Sequence, residues 1–213
     1  MIKVPVANLG LFEQLDRIVV AFFRKQQSSS PYDLNVSITQ EHLDQKKQEL
    51  EPLGYQAVQL PLGMALDNII QQPYYKNLII GGLAPDEIMV SKEELIPLKD
   101  IVDSFCIMYA AANNRLENSK AYEFMKDKTV FFIGKLLTDD LKNGDEISYM
   151  GIGRESADGT SYEAVKCFLT KESAEQYNDS KKPVSPANLA YLQAFWGKPV
   201  IIEPHRNYWI EFK

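Results

Sequence analysis

The chain has 213 residues, 45% of them apolar and 24% charged, with a net charge of −6. That apolar share builds a sizeable core and excludes a disordered chain, while the length suits one large domain or two of about 100 residues. The acidic balance excludes a nucleic-acid partner, since the longest basic runs, Lys46-Lys47 and Lys181-Lys182, sit among acidic and amide residues rather than in a patch that displaces counterions.

Met1 to Gly10 lacks a basic start followed by a long apolar run, so no signal peptide is expected. Leu11, Leu15, Ile18 and Phe22 recur at helical spacing and predict an amphipathic helix over 8–25, although Ile18 to Phe23 also reads as a strand. That same window stops at Arg24, far short of the ~20 apolar residues that span a bilayer, and no membrane partner is expected. Ser28 to Pro31 is a loop, and Leu34 to Ile38 alternates like a strand. Thr39 then caps a helix with Glu41 in its first turn, which ends by Pro52 and Gly54. Tyr55 to Leu60 is a short strand, and Pro61 opens a helix carrying Met64, Leu66, Ile69 and Ile70. Asn77 to Ile80 is a buried strand closed by Gly81-Gly82, and Asp86 to Val90 is its hairpin partner. Ser91 and Glu94 form a capping-box pair.

From Pro97 to about Ala112 the apolar residues again fall on one helical stripe, and a second helix covers about 117–127. Strands follow at Thr129–Lys135, Glu146–Gly151 and Glu163–Leu169, joined at the turn dipeptides Asn143-Gly144 and Asp158-Gly159. One helix follows Thr170, another follows Ser185-Pro186, and strands at Pro199–Ile202 and Tyr208–Phe212 end the chain.

The two halves match in order. Ser37 to Glu41 lines up with Phe168 to Glu172, as strand end, Thr cap and acidic first turn. Leu78 to Gly82 lines up with Val200 to Pro204. The expected architecture is therefore α+β, in two similar modules, each a mixed, mainly antiparallel sheet with helices packed on it. The first module covers 1–96 and is the more degenerate; the second covers 97–213 and includes the leading helices.

A strand ending in an apolar-Thr pair, a capped helix, a Pro-bearing segment into another helix, a buried strand and a tight turn resembles the SseB-like family. These bacterial proteins are associated by name with enhanced serine sensitivity. The second half carries the resemblance best. Its helix around Leu116–Lys126 and strand Val130 to Ile133 precede Phe168-Leu169-Thr170, and Pro204 follows Val200-Ile201-Ile202. The family's usual Asn before that proline is Glu203 here, and the first half has Gly81-Gly82 instead. The resemblance implies a bacterial cytoplasmic protein; the family has no established catalytic residues, so none are carried over.

Candidate chemistry is sparse. Gly151-Ile152-Gly153-Arg154 lacks the third glycine of a dinucleotide loop, since 156 is Ser, and reads as a hairpin connection. Asp139-Asp140 and Asp145-Glu146 flank a turn but place Leu141 and Met150 where a calcium loop needs oxygen ligands. His42 and His205 with Cys106 and Cys167 lack the paired local spacing of a zinc site. The cysteines are too few for a disulfide framework and read as buried thiols of a reducing cytoplasm. No catalytic residue, metal or cofactor is expected. The remaining cluster is aromatic. Tyr191, Trp196, Tyr208 and Trp209, with His205 beside them, form a candidate interaction surface, because such side chains bury much area at low entropy cost. Strand alternation sends one of Tyr208 and Trp209 inward and the other out. The expected function is non-catalytic protein interaction or scaffolding, through a protein partner or self-association. The alternatives are a small-molecule ligand bound in an inter-module cleft, or an enzyme whose site is assembled around Cys167 or His205.

Overall fold

Between Ile18 and Arg24 the backbone is the strand that this apolar run also allowed, not the helix that the wider spacing predicted. Ile18, Val19, Val20, Phe22 and Phe23 are β-branched or aromatic, side chains that stiffen in a helix and pack well on a pleated surface. Leu11 and Leu15 are buried at a short 3-10 turn, Leu11–Gln14, whereas Ile18 is 48% exposed, which a continuous helical stripe would have buried.

The computed structural model describes residues 2–3, 10–24, 30–136 and 147–213. The acidic residues Asp139-Asp140 and Asp145-Glu146 and the Asn143-Gly144 turn lie outside them. The chain divides into two units, Met1–Cys106 and Ile107–Lys213. In the first, the elements are β1 (Ile2–Lys3), β2 (Ile18–Arg24), β3 (Tyr32–Ser37), α1 (Gln40–Leu50), β4 (Tyr55–Pro61), α2 (Leu62–Gln71), β5 (Tyr75–Gly81), β6 (Ile88–Ser91) and the single turn α3 (Lys92–Leu95). The helix α4 (Lys99–Ala112) contains the division. The second unit continues with α5 (Asn118–Met125), β7 (Thr129–Lys135), β8 (Ser148–Tyr149), β9 (Gly151–Glu155), β10 (Ser161–Phe168), α6 (Lys171–Gln176), β11 (Val184–Asn188), α7 (Leu189–Trp196), β12 (Val200–Ile202) and β13 (Ile210–Phe212).

The sheet of the first unit runs β1-β6-β5-β3-β2-β4, and that of the second runs β11-β7-β10-β12-β13, with β8 on β7 and β9 on β10. Read from the opposite end, the second order repeats the first. In each module a strand (β2, β7) is antiparallel to an edge strand (β4, β11) and to a central one (β3, β10), and the central one is parallel to a buried partner (β5, β12). The registers repeat as well. Val36 pairs with Ile80 and Ala21, as Cys167 pairs with Ile202 and Phe132. Ile80 pairs with Ile88, as Ile202 pairs with Ile210. The fold is α+β, two similar modules with mixed, mainly antiparallel sheets and helices packed on them.

The capping residues do the same work in both copies. Thr39 Oγ1 accepts from His42 N at 3.5 Å, and Thr170 Oγ1 accepts from Ser173 N at 3.0 Å. The Ser91–Glu94 capping box is formed in full. Two strands differ from expectation. Val184 to Asn188, around Pro186, is an edge strand, a place where proline is tolerated because its missing N–H faces away from the sheet. Gly151 to Glu155 is itself a strand paired along β10 rather than a bare connection.

The copies differ where β3 and β10 meet their helices. His42, at the position that Ser173 holds in the second copy, turns inward rather than lying on the polar side of α1. Its Nδ1 is 2.7 Å from Ser37 Oγ and its Nε2 3.0 Å from Glu87 Oε1, and Lys46 Nζ binds Glu87 at 2.7 Å. The ring fits because Gly81 has no Cβ, which would overlap it. In the second copy Glu203, at φ 51°, fills the equivalent space from the strand side, accepting from Leu169 N at 2.9 Å and Ser173 Oγ at 3.1 Å.

Two outcomes follow from this packing. Gly81→Ala should destabilise the protein by about 1–3 kcal/mol, and by less than half as much in a His42→Ala background, as read from urea unfolding of the four-member cycle. Burial raises the Glu87 carboxyl, but hydrogen bonds from Lys46 and His42 outweigh it and hold the group below its ordinary range. A carboxylate depressed in the folded state stabilises above its unfolded pKa, and that stability is lost as pH falls through the folded value. The urea midpoint should therefore fall more steeply on acidification in the wild type than in Glu87→Gln; parallel slopes would contradict it.

Candidate functional site

The last strand sets the site. Ile210 and Phe212 are buried against β12, so Trp209 and Glu211 alternate to the other face. Trp209 is 39% exposed, and the Arg154 guanidinium of β9 lies 4.8 Å from its ring centre. Arg154 Nε is 3.9 Å from Glu211 Oε2, which accepts from the Tyr162 hydroxyl at 3.0 Å. The Glu211 side chain is only 10% exposed. Among the described residues neither its Oε1 nor Arg154 Nε has a hydrogen-bond partner, although both atoms are buried. Such groups each cost about 1–3 kcal/mol until a partner satisfies them.

Beside this cluster lies a cavity of about 680 Å³, lined on one side by Asn207 and Trp209 to Lys213 and on the other by the end of α4 and by Asn118 and Tyr122 of α5. Tyr122 meets the Phe212 ring edge-on at 5.5 Å, and these rings share the lining with the polar Asn118, Ser119 and Asn207 and the charged Glu211 and Lys213. The arrangement can hold an extended segment that presents both polar and apolar side chains.

The five expected surface residues do not form one patch. Tyr208 is 2% exposed and belongs to the core, whereas Trp209 faces out. Tyr191 is 49% exposed on α7, 5.8 Å from Phe195, and Trp196 packs on Phe195 at 4.9 Å and Tyr149 at 4.6 Å. His205 stacks on Tyr177 at 4.1 Å; burial, then the Lys166 and Arg206 charges, lower its pKa. No ring contact between described residues joins Trp196 to Trp209. Arg154, Tyr162 and Glu211 were absent from the expected set. Their one signal in sequence is the alternation of the final strand, which places Glu211 on the face of Trp209.

Ser37, His42 and Glu87 hold the residue types of a hydrolytic triad; Ser37 is buried and the His42 ring packs against Gly81. Cys167 is fully buried, which pushes its thiol up, and burial pushes Cys106 up to about 12, opposite to the shift that activates a nucleophile. Among the described residues no group of three or more His, Cys, Asp or Glu is placed to hold a metal ion, and no helix is long and apolar enough to cross a membrane.

No family model matches the chain, and no curated protein matches it. Among solved structures, Anabaena Tic22, described as a protein of protein transport, is similar at 12% identity over 88% of this chain and 84% of that one, with a TM-score of 0.22. A likeness at that TM-score carries no argument about this chain.

Alanine scanning separates the adjacent pair. Tyr208→Ala should cost about 3–5 kcal/mol, whereas Trp209→Ala should cost about 1 kcal/mol or less, the worth of an exposed cation–π contact. Denaturant unfolding of the two variants measures the difference, and equal costs would contradict the assigned alternation.

Proposed function

We propose that the chain is a non-catalytic, cytoplasmic protein-interaction protein of SseB-like type, which docks a protein partner along β13 of its second module. The observation that carries this reading is the Trp209–Arg154–Glu211 cluster, where an exposed aromatic and two incompletely bonded charged groups border a groove of mixed polar and apolar lining. Aromatic and arginine side chains dominate binding hot spots, and buried groups that lack a partner gain most when one arrives. The resemblance of the second half to the SseB-like family, which has no established catalytic residues, supports a binding role.

Affinity capture from the protein's own cells tests it, comparing wild type with Trp209→Ala, Arg154→Ala and the control Leu53→Ala, which alters an exposed apolar side chain of the first unit. A specific polypeptide should be depleted by at least about tenfold in the first two variants and retained in the control. The same set of proteins from all four baits would sink the reading. An added mass of a few hundred daltons in native mass spectra, absent from Trp209→Ala, would replace the protein partner with a small-molecule ligand.

A further inference from the structure

The duplication shows what the groove beside β13 is shaped to take. In the first module the outer edge of β6 is covered by β1, which pairs with it in parallel, Ile2 opposite Ile88 and Lys3 opposite Met89. By matching register, Ile88 corresponds to Ile210 and Met89 to Glu211. In the second module the chain ahead of β7 forms the helix α5 instead of a strand, and among the described residues nothing pairs with the outer edge of β13. The cavity of about 680 Å³ runs along that edge.

We infer that β13 accepts an extended segment of a partner protein as an added parallel strand, with an apolar residue opposite Ile210 and a lysine or arginine opposite Glu211. This rests on the protein-interaction reading and specifies its partner. Strand addition satisfies the unpaired backbone groups of an edge, and side-chain positions supply specificity. The apolar position falls on the face of Ile210 and Phe212, beside Tyr122. The cationic position falls on the face of Glu211, whose Oε1 is buried and without a partner among the described residues. A second copy of this chain is a poorer occupant, because its own first strand already covers the edge of β6 and would have to leave it.

Hydrogen–deuterium exchange of the full chain tests the inference, with a capped hexapeptide of alternating isoleucine and lysine as probe. The amides of Ile210–Phe212 should exchange at least about tenfold more slowly with the peptide present. Glu211→Gln, which keeps the side-chain shape, should weaken peptide binding about tenfold. A peptide N-methylated at alternate residues, or one with glutamate in place of lysine, should give no protection. Equal protection by the N-methylated peptide, or protection confined to another segment, overturns strand addition. Protection of 210–212 that instead grows with protein concentration without peptide assigns the edge to a second copy and overturns the heterologous partner. If the peptide fails while capture still depends on Trp209, strand addition falls and the interaction reading stands; if both fail, both fall.

Discussion

Each module depends on a pair of parallel neighbours, β3 beside β5 and β10 beside β12. A tight turn cannot join parallel strands, so the chain must leave the sheet and return over a long crossover. Both copies solve this in one way: a threonine-capped helix, an edge strand on the far side, a second helix, then the buried parallel strand. Burial on both faces explains why Leu78, Ile79 and Ile80, and Val200, Ile201 and Ile202, are continuous apolar runs rather than alternating ones. Once the pair is set, the next strand can pair only on its outer side. That constraint makes β6 and β13 the strands beyond it, and it places Trp209 and Glu211 near the rim of the second sheet.

Within the shared frame the copies have exchanged the source of one buried polar group. The first fills the space above its parallel pair with a histidine from the helix, which requires a glycine on the strand. The second fills it with a glutamate from the strand, which leaves a serine on the helix. Each solution satisfies the polar atoms it buries, and each excludes the other's large side chain. A single exchange in either copy therefore leaves a collision or an unfilled space. At the corresponding positions 87 and 209, Glu87 meets His42 at 3.0 Å, whereas Trp209 is 39% exposed beside Arg154.

Much of this was legible in the amino-acid order, and the parts that were not share a cause. The Thr39 and Thr170 caps, the Ser91–Glu94 box and the Gly81-Gly82 terminus are local chemistry, readable within four residues. The repeat of those signals exposed the duplication. The helix expected over 8–25 came from a chance run of helical spacing across a 3-10 turn and a strand, where β-branched residues outweighed periodicity. The strand at Val184–Asn188 was hidden by Pro186, which reads as a break unless the strand is known to be an edge. Alternation separated Tyr208 from Trp209, but it could not bring Arg154 to Trp209 or Tyr162 to Glu211. Those meetings need the registers of β9, β10, β12 and β13 together, a tertiary fact with no local signature. The inward turn of His42 is of the same kind, since it depends on a glycine that only the folded sheet places beneath it.

The two margins of the second sheet differ in kind. One ends on β11, whose Pro186 has no amide proton to offer a newcomer; the other ends on β13 beside an open groove. Polymerisation by edge pairing requires a margin that donates and another that receives, repeated from molecule to molecule. Here proline spoils the margin that would have to meet β13 of the next molecule, so the two margins of the second sheet are poor partners for each other. Pro186 thus guards the second sheet against head-to-tail addition through β11, whatever strand its other margin receives.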